Sequence, residues 1–402
     1  MLAAMTTSTN KRPRALHDGI VIAGGGLAGQ RCAEALRREG YEGSIRVVCA
    51  EPHRPYDRPP LSKAALVDAG EDAGLPYRAA GWYAEQSVDL LLGVSAAGLE
   101  PAERRLRLSD GTSLRYEQLL ISTGGRARTL PLLAGYDNVS VLRTLDDARV
   151  LREVLAPGRR LAVIGAGFIG LEIAATARRL GVEVTLIEAG PCPLAGIVGP
   201  EIGGWFRQLH TAEGAHLLTG VTVDRVDGNG AVNALRLSDG AAVGVDHVVV
   251  GIGIQADVAW LTGSGLDLSA GVPVDPHGRT AIERLFAAGD VAATFDERCG
   301  CHVPGSHWEA AGRQGARAAH VMLGLDPGTP PLTSFWTDQY GLKIQYVGRW
   351  RPGDVVEIDG DPGRRNFTAI FSRAGRAVAA LLVDRPRFLP AARNLIEKGS
   401  RL

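Results

Sequence analysis

Two stretches of the chain repeat one hydrophobic pattern. Gly19-Ile20-Val21-Ile22-Ala23 is a short apolar run that meets Gly24-Gly25-Gly26-Leu27-Ala28-Gly29. A helical pattern from Gln30 to Arg38 follows and stops at Gly40, and an apolar strand from Ser44 to Ala50 ends at Glu51. The second copy runs from Arg160-Leu161-Ala162-Val163-Ile164 into Gly165-Ala166-Gly167-Phe168-Ile169-Gly170, with a helix from Leu171 to Leu180, a stop at Gly181, and a strand from Val182 to Ile187 closing at Glu188. Each copy predicts a βαβ unit with a glycine-rich turn and an acid at the end of its second strand. Behind each come hairpin strands with an Asp-Gly turn (Asp110-Gly111, Asp239-Gly240), then an apolar strand ending in a glycine turn at Gly124-Gly125 and at Gly251-Ile252-Gly253. The duplication covers a whole domain. Beyond Leu332 the pattern alternates, with Leu342, Ile344 and Tyr346 and then Phe367, Ala369 and Phe371, which predicts antiparallel strands closed by a short helix near Pro390 to Lys398. That segment reads as a separate α+β domain.

Composition narrows the classes. A chain of 402 residues suggests two or three domains, and 45% hydrophobic with 22% charged residues excludes a wholly disordered or fibrous protein. Lys+Arg and Asp+Glu both number 44, so the basic excess of a nucleic-acid binder is absent. No apolar run approaches the roughly 18 residues of a membrane span, and the first residues lack the apolar core of a secretory signal. Residues 1–15 are expected to be a disordered tail. Five cysteines without an even framework argue for a reducing, cytoplasmic compartment. Arginine far outnumbers lysine; with lysine only at positions 11, 63, 343 and 398, a lysine inside a motif draws notice.

The glycine turns carry the first chemistry. A pyrophosphate must approach backbone N–H groups closely, and Gly24, Gly26 and Gly29 allow that approach at a helix N-terminus. Gly165, Gly167 and Gly170 do the same in the second unit. Glu51 and Glu188 stand where a carboxylate accepts hydrogen bonds from ribose hydroxyls. Glu188 would repel a 2′-phosphate, and Ala189-Gly190 supplies no arginine to bind one, which favours NAD over NADP. Two dinucleotide sites in one chain pair a tightly held FAD with a visiting nicotinamide, and the first unit is assigned to FAD. Leu285 to Ala288 is an apolar run ending in Gly289-Asp290, which aims Asp290 at the flavin ribityl or phosphate.

These residues, with Pro55-Tyr56-Asp57-Arg58-Pro59-Pro60-Leu61-Ser62-Lys63, Ser122-Thr123-Gly124-Gly125, His307-Trp308 and Ser334-Phe335-Trp336-Thr337-Asp338-Gln339-Tyr340-Gly341-Leu342, carry a resemblance. From about Gly19 to Ile396 the chain resembles the NADH-dependent ferredoxin reductases that serve bacterial oxygenases, of the putidaredoxin reductase, rubredoxin reductase and aromatic dioxygenase reductase type. The resemblance implies a glutathione-reductase-like α/β fold: two Rossmann-like domains, for FAD (16–122 and 246–328) and NAD (123–245), and a C-terminal α+β domain (329–402). It implies FAD contacts at Ala28, Glu51, Arg58, Lys63, Val94, Thr123, Arg143, Gly289, Asp290 and Trp308. NAD contacts follow at Gly165, Gly167, Ile169, Gly170, Glu188 and Gly253. Lys63 and Glu172 match an ion pair beside the flavin, and Trp336 an aromatic near its ring; the structural alternatives are a surface lysine, a helix glutamate and a core tryptophan. No metal is expected. Ser306 departs from the acid common there in the family. Cys299 and Cys301 form a C-x-C, a weak signal for a metal site or a strained disulfide, and are read as incidental thiols.

The implied activity passes hydride from NADH to FAD and then single electrons to an iron–sulfur ferredoxin with a two-iron cluster, and so indirectly to a cytochrome P450 or Rieske-type oxygenase. Neither a nucleic acid nor a membrane is expected as partner. A rubredoxin reductase, or an NADH-responsive flavoprotein resembling apoptosis-inducing factor, is the alternative. A disulfide reductase needs a close cysteine pair beside the flavin, and Cys32, Cys49 and Cys192 supply none. Residues from Pro331 onward carry 12 basic and 7 acidic side chains, and Arg313, Arg317, Arg349, Arg385 and Arg387 are candidates for docking an acidic partner.

Overall fold

A computed structural model describes residues 18–296, 301–305, 307–328 and 332–400. The expected tail, Ser306 and Cys299 lie outside them. The first unit is β1 (Ile20–Ala23), α1 (Leu27–Arg38) and β2 (Ile45–Cys49), extended by β3 (Val88–Leu92) and β4 (Gln118–Ile121). Helix α2 (Leu145–Val154) leads into the second unit, with β5 (Arg160–Ile164), α3 (Phe168–Arg179), β6 (Glu183–Glu188), α4 (Ala195–Ala212), β7 (His216–Thr219) and β8 (His247–Val250). The chain then returns through β9 (Leu285–Ala287) and α5 (Trp308–Met322). It ends in β10 (Ser334–Gln339), β11 (Leu342–Gly348), β12 (Val355–Asp361), β13 (Asn366–Arg373), β14 (Arg376–Val383) and α6 (Leu389–Glu397).

Two parallel sheets follow the duplicated pattern. The first is ordered β9-β4-β1-β2-β3, and the second β7-β6-β5-β8 with the short strand Val139–Ser140 at its edge. In both, the glycine turn leaves the central strand, where sheet order reverses and a ligand crevice opens. The third sheet, β10-β11-β14-β13-β12, is antiparallel.

The sequence reading is corrected at two places. The proposed break between 245 and 246 falls ahead of β8, yet β8 hydrogen-bonds along β5 in the second sheet, Leu161 opposite His247 and Ile164 opposite Val250. The second unit therefore runs through Val250. Both glycine-turn helices start three residues earlier than the apolar period suggests, at Leu27 and Phe168. Their first turns face the crevice, so no apolar periodicity marks them. The C-terminal segment forms its own antiparallel sheet and helix as expected, with a small core of Val347, Ala380 and Leu382 against Ala392 of α6, while the opposite face of the sheet packs on the second unit. Phe367, Phe371 and Leu381 share one apolar cluster with Leu171 of α3 and Phe206 of α4, and Trp205 meets Phe367 edge-on at 5.1 Å. Burial of that shared surface, at roughly 25 cal/mol per Å², fixes the sheet against the second unit rather than leaving it tethered.

Candidate functional site

Both turns have the same construction. Gly24 has φ +123° and Gly165 φ +102°, in the region that L side chains avoid. A Cβ at Gly29 would lie 2.1 Å from the Gly24 carbonyl oxygen, and one at Gly170 2.1 Å from that of Gly165. The middle glycines differ: Gly26 and Gly167 are the N-caps of α1 and α3, donate no side-chain cap, and have open space where a Cβ would stand. Each turn thus offers uncapped helix N–H groups across an empty cradle, which suits a pyrophosphate.

Two arginines and two acids surround the first turn. Tyr56 donates its hydroxyl to Glu51 Oε2 at 2.5 Å and accepts from the Leu145 N–H at 2.9 Å. Arg58 pairs with Glu51 at 2.6 Å and donates to the Arg143 carbonyl oxygen at 2.5 Å. The Arg143 side chain pairs with Asp290 at 2.9 Å. Arg143 is placed by the capping box of α2, where Thr144 and Asp147 exchange hydrogen bonds. Burial, and then repulsion from Arg58, pull the Arg143 pKa below its ordinary value although Asp290 opposes them. Two crowded guanidiniums beside a glycine turn favour an incoming anion. Val94, half-buried after β3, and Ala28, buried at the start of α1, lie at the same end of the first sheet. Thr123 follows β4 and donates to the Asp257 carbonyl oxygen at 3.0 Å. Gly289, just after β9, has φ +79° and donates its N–H to Gln314 of α5 at 2.8 Å.

In the second unit, Glu188 at the end of β6 accepts from the N–H groups of Ala166 and Gly190, each at 2.6 Å. The carboxylate ties the glycine turn to the loop after β6. Ile169 is 44% exposed on the first turn of α3, and Gly253 has φ +93° just beyond β8.

Between the units stands the Lys63–Glu172 pair, with Nζ to Oε1 at 2.8 Å and side chains 21% and 5% exposed. Pro59 and Pro60 open a tight helical turn that ends at Ser62, and Lys63 Nζ also donates to the Pro59 carbonyl oxygen at 3.2 Å. Glu172, on α3, accepts further from Ser62 at 2.5 Å and from Thr337 at 2.6 Å. Neither member is the solvated side chain of the structural alternative. Trp308, first in α5, donates to Asp57 at 2.6 Å and meets Trp336 edge-on at 5.0 Å. Trp336 is half-buried rather than a core tryptophan. His307 stacks on Phe335 at 4.9 Å, and burial pulls its pKa down against the Asp290 charge.

The sequence reading missed several members. Tyr56, Asp57, Ser62, Thr337 and Gln339 lie inside the quoted motifs and were open to assignment; His210, which faces Gln339 at 2.9 Å, and Tyr77, which donates to Asp57 at 3.2 Å, carry no local signal. Two expectations change. Arg317 is 9% exposed and held in the α5 packing, so it is no docking residue, whereas Arg313, paired with Glu309 at 2.5 Å, keeps a 46% exposed side chain. Cys301 is disulfide-bonded, not an incidental thiol. Cys32, Cys49 and Cys192 are free and buried; burial, then Glu51, pushes the Cys49 thiol up to about 12. Among the described residues no group of three or more metal-ligating side chains occurs, and no helix is long and apolar enough to cross a membrane.

Comparison with known proteins agrees with this layout. Residues 18–315 match the family described as pyridine nucleotide-disulphide oxidoreductase, and residues 334–402 the one described as reductase C-terminal. The anthranilate 1,2-dioxygenase system ferredoxin–NAD(+) reductase component of Burkholderia cepacia is 40% identical over 387 residues, covering 95% of both chains. The benzene 1,2-dioxygenase system ferredoxin–NAD(+) reductase subunit of Pseudomonas putida is 35% identical, covering 94% of this chain and 92% of that one. The crystal structure of the covalent putidaredoxin reductase–putidaredoxin complex matches with TM-score 0.91 and 32% identity, over 95% of this chain and 94% of that chain.

Proposed function

The chain belongs to the pyridine nucleotide-disulphide oxidoreductase family, and from that premise we propose that it is an FAD-dependent ferredoxin–NAD(+) reductase of a bacterial oxygenase system. FAD, held by the first glycine turn with Arg58 and Arg143, would supply hydride acceptance from NADH and single-electron transfer to a two-iron ferredoxin that feeds a Rieske-type dioxygenase or a cytochrome P450. The observation that carries the reading is the Lys63–Glu172 pair, which joins the motif of the first unit to α3, the helix that leaves the second glycine turn.

The chain's own residues divide the work. Gly24, Gly26 and Gly29 leave α1 N–H groups free for the FAD pyrophosphate, and Arg58 and Arg143 supply the positive field around it. Tyr56 and Arg58 orient Glu51 toward the ribose, and Asp290 is oriented by Arg143. Gly165, Gly167 and Gly170 present α3 to NADH, and Glu188 selects against a 2′-phosphate by charge. Lys63 holds a positive charge where reduction adds negative charge, and Glu172 keeps that ammonium in place. The Trp308–Trp336 pair is the aromatic surface assigned to the flavin ring.

The free thiols favour this reading over disulfide reduction, since burial raises the pKa of Cys32 and of Cys49 and leaves both thiols protonated. The named relatives act on ferredoxins, which favours that partner over a rubredoxin. A cytoplasmic site of action fits the three buried free cysteines, Cys32, Cys49 and Cys192, with the disulfide at Cys301 as the exception. The test is direct. Purified protein should be yellow with about one FAD, and should reduce a ferredoxin from a panel with NADH much faster than with NADPH. A colourless protein, or equal rates with both nicotinamides, refutes the reading.

A further inference from the structure

Glu172 is the inner end of a hydrogen-bond chain that neither dinucleotide turn requires. Its Oε1 accepts from the Thr337 hydroxyl at 2.6 Å, and Thr337 Oγ1 accepts from Gln339 Nε2 at 3.1 Å. Gln339 Oε1 faces His210 Nε2 at 2.9 Å, and His210 Nδ1 faces the Tyr340 hydroxyl at 3.0 Å. Thr337, Gln339 and His210 are all at most 1% exposed. The residues come from α3, α4, and β10 with the turn after it, where the second unit meets the C-terminal sheet. Aromatic side chains already fill that junction, so buried amide and imidazole groups there call for a reason beyond packing.

Donor chemistry fixes the direction of the chain. An ion-paired carboxylate only accepts, so Thr337 gives it its one hydrogen and must accept from behind. Gln339 therefore turns its NH₂ to Thr337 and its carbonyl oxygen to His210. That oxygen only accepts, so His210 carries its hydrogen on Nε2. Burial holds the His210 pKa down to about 4, with Gln339 and Glu213 acting against it, so the ring is neutral and Nδ1 is a lone pair to which Tyr340 donates. Glu213, Arg178 and Arg365 are the charged groups near the outer end, with Arg365 paired to Glu213 at 2.7 Å. Every dipole then points its positive end toward Glu172, and aligned hydrogen bonds polarise one another.

We propose that His210, Gln339 and Tyr340 are positioning residues that act through Thr337 on Glu172 and thereby tune the field Lys63 presents to the flavin, a proposal that rests on the reading of Lys63 as the cation at the flavin ring. The chain withdraws negative charge from the Glu172 carboxylate. Without it, the field around Lys63 is more negative and flavin reduction is disfavoured.

The test uses the full-length, FAD-loaded protein. Nitrogen-15 NMR of the unmodified protein should show His210 as the Nε2–H tautomer; the Nδ1–H tautomer reverses the chain and overturns the proposal. The flavin midpoint potential, measured by equilibration with a reference dye, should become more negative in His210→Leu and Tyr340→Phe. The reduction equilibrium should fall about tenfold in His210→Leu, or about 30 mV for a two-electron couple, and about threefold in Tyr340→Phe. His210→Gln, which restores an N–H donor at similar reach, should recover most of the loss. A merely structural role would lower the melting temperature and leave the potential alone. If His210→Leu does not load FAD, Tyr340→Phe and the tautomer decide. A potential unchanged in Tyr340→Phe, while Lys63→Met shifts it, overturns this proposal and leaves the function standing. A potential unchanged in Lys63→Met as well overturns the assignment of Lys63 and this proposal together.

Discussion

Replacing Lys63 with methionine keeps the apolar stem and deletes the ammonium. Glu172, with its side chain only 5% exposed, then loses its charge partner and keeps two hydroxyl donors, Ser62 and Thr337. Breaking a buried ion pair from one side typically costs about 3–5 kcal/mol. The remaining donors, and the 21% exposure of Lys63, lower the expected cost to about 2–3 kcal/mol. Glu172→Gln alone leaves a buried ammonium that Pro59 still accepts from, and should cost about 1–2 kcal/mol. The double variant removes both charges and keeps the shape, so most of the loss should return. Chemical unfolding of all four proteins, followed by tryptophan and flavin fluorescence at one fixed FAD concentration, closes the cycle. A coupling of about 2 kcal/mol is expected. A coupling below about 0.5 kcal/mol would mean that the pair behaves as a solvated surface bridge, and the role given to Lys63 would have no structural support.

Glu188→Ala with Ala189→Arg should shift preference toward NADPH, because it removes a repulsive carboxylate and adds a phosphate partner. It also deletes the tie between Ala166 and Gly190, so NADH should bind about tenfold more weakly, and a double variant as NADH-selective as the parent refutes the assignment. Tyr56→Phe leaves Glu51 held by Arg58 alone and strands the Leu145 N–H; FAD should dissociate about tenfold more readily, at roughly 1–1.5 kcal/mol for the lost bonds, which a fluorescence titration of the apoprotein measures. Added salt should slow ferredoxin reduction more than reduction of a neutral quinone, and Arg317→Glu should lower the unfolding midpoint rather than weaken the partner, given its burial; an unchanged midpoint would contradict the buried placement. Burial holds the pKa of both His210 and His247 down to about 4, against about 6.5 in an unfolded chain. Between those values the unfolded state binds more protons, so stability should fall as pH drops through that window, by up to about 1.4 kcal/mol per pH unit for each residue; urea midpoints that stay flat there would show that neither imidazole is buried neutral.

The sequence made the two parallel sheets legible because each property needed was local. A four-to-six-residue apolar strand, a turn where Cβ atoms collide with carbonyl oxygens, and a helix stop are all written within about thirty residues. The acids at Glu51 and Glu188 were legible for the same reason. What failed was long-range. Strand β8 belongs to the second sheet by pairing with β5, some eighty-odd positions earlier; the duplicated pattern matches it to β4 of the first sheet, and the boundary implied by the resemblance set that match aside. The burial of Arg317 was equally hidden: its position on α5 looks like a charged helix face until α5 is seen packed along α1, where a Cβ at Gly315 would meet the Ala28 carbonyl oxygen at 2.0 Å.

The same distinction explains why half of the Lys63 environment was visible and half was not. Lys63, Ser62, Trp336 and Thr337 lie in runs that can be recognised whole. The bonds that make them one site join Ser62 to Glu172 across 110 positions, Glu172 to Thr337 across 165, and His210 to Gln339 across 129. Such contacts exist only after α3, α4 and the C-terminal sheet have buried their shared apolar surface. The polar chain therefore depends on the packing around it, because water would compete for each of its donors if the junction opened. This gives the C-terminal sheet a task that its place at the end of the chain does not suggest. It carries Trp336 into edge-on contact with Trp308 and, through Thr337 on the alternate face of the same strand, closes the Lys63–Glu172 pair from behind. A strand alternates its side chains between two faces, so one short run, Trp336-Thr337, serves the flavin end and the buried network at once.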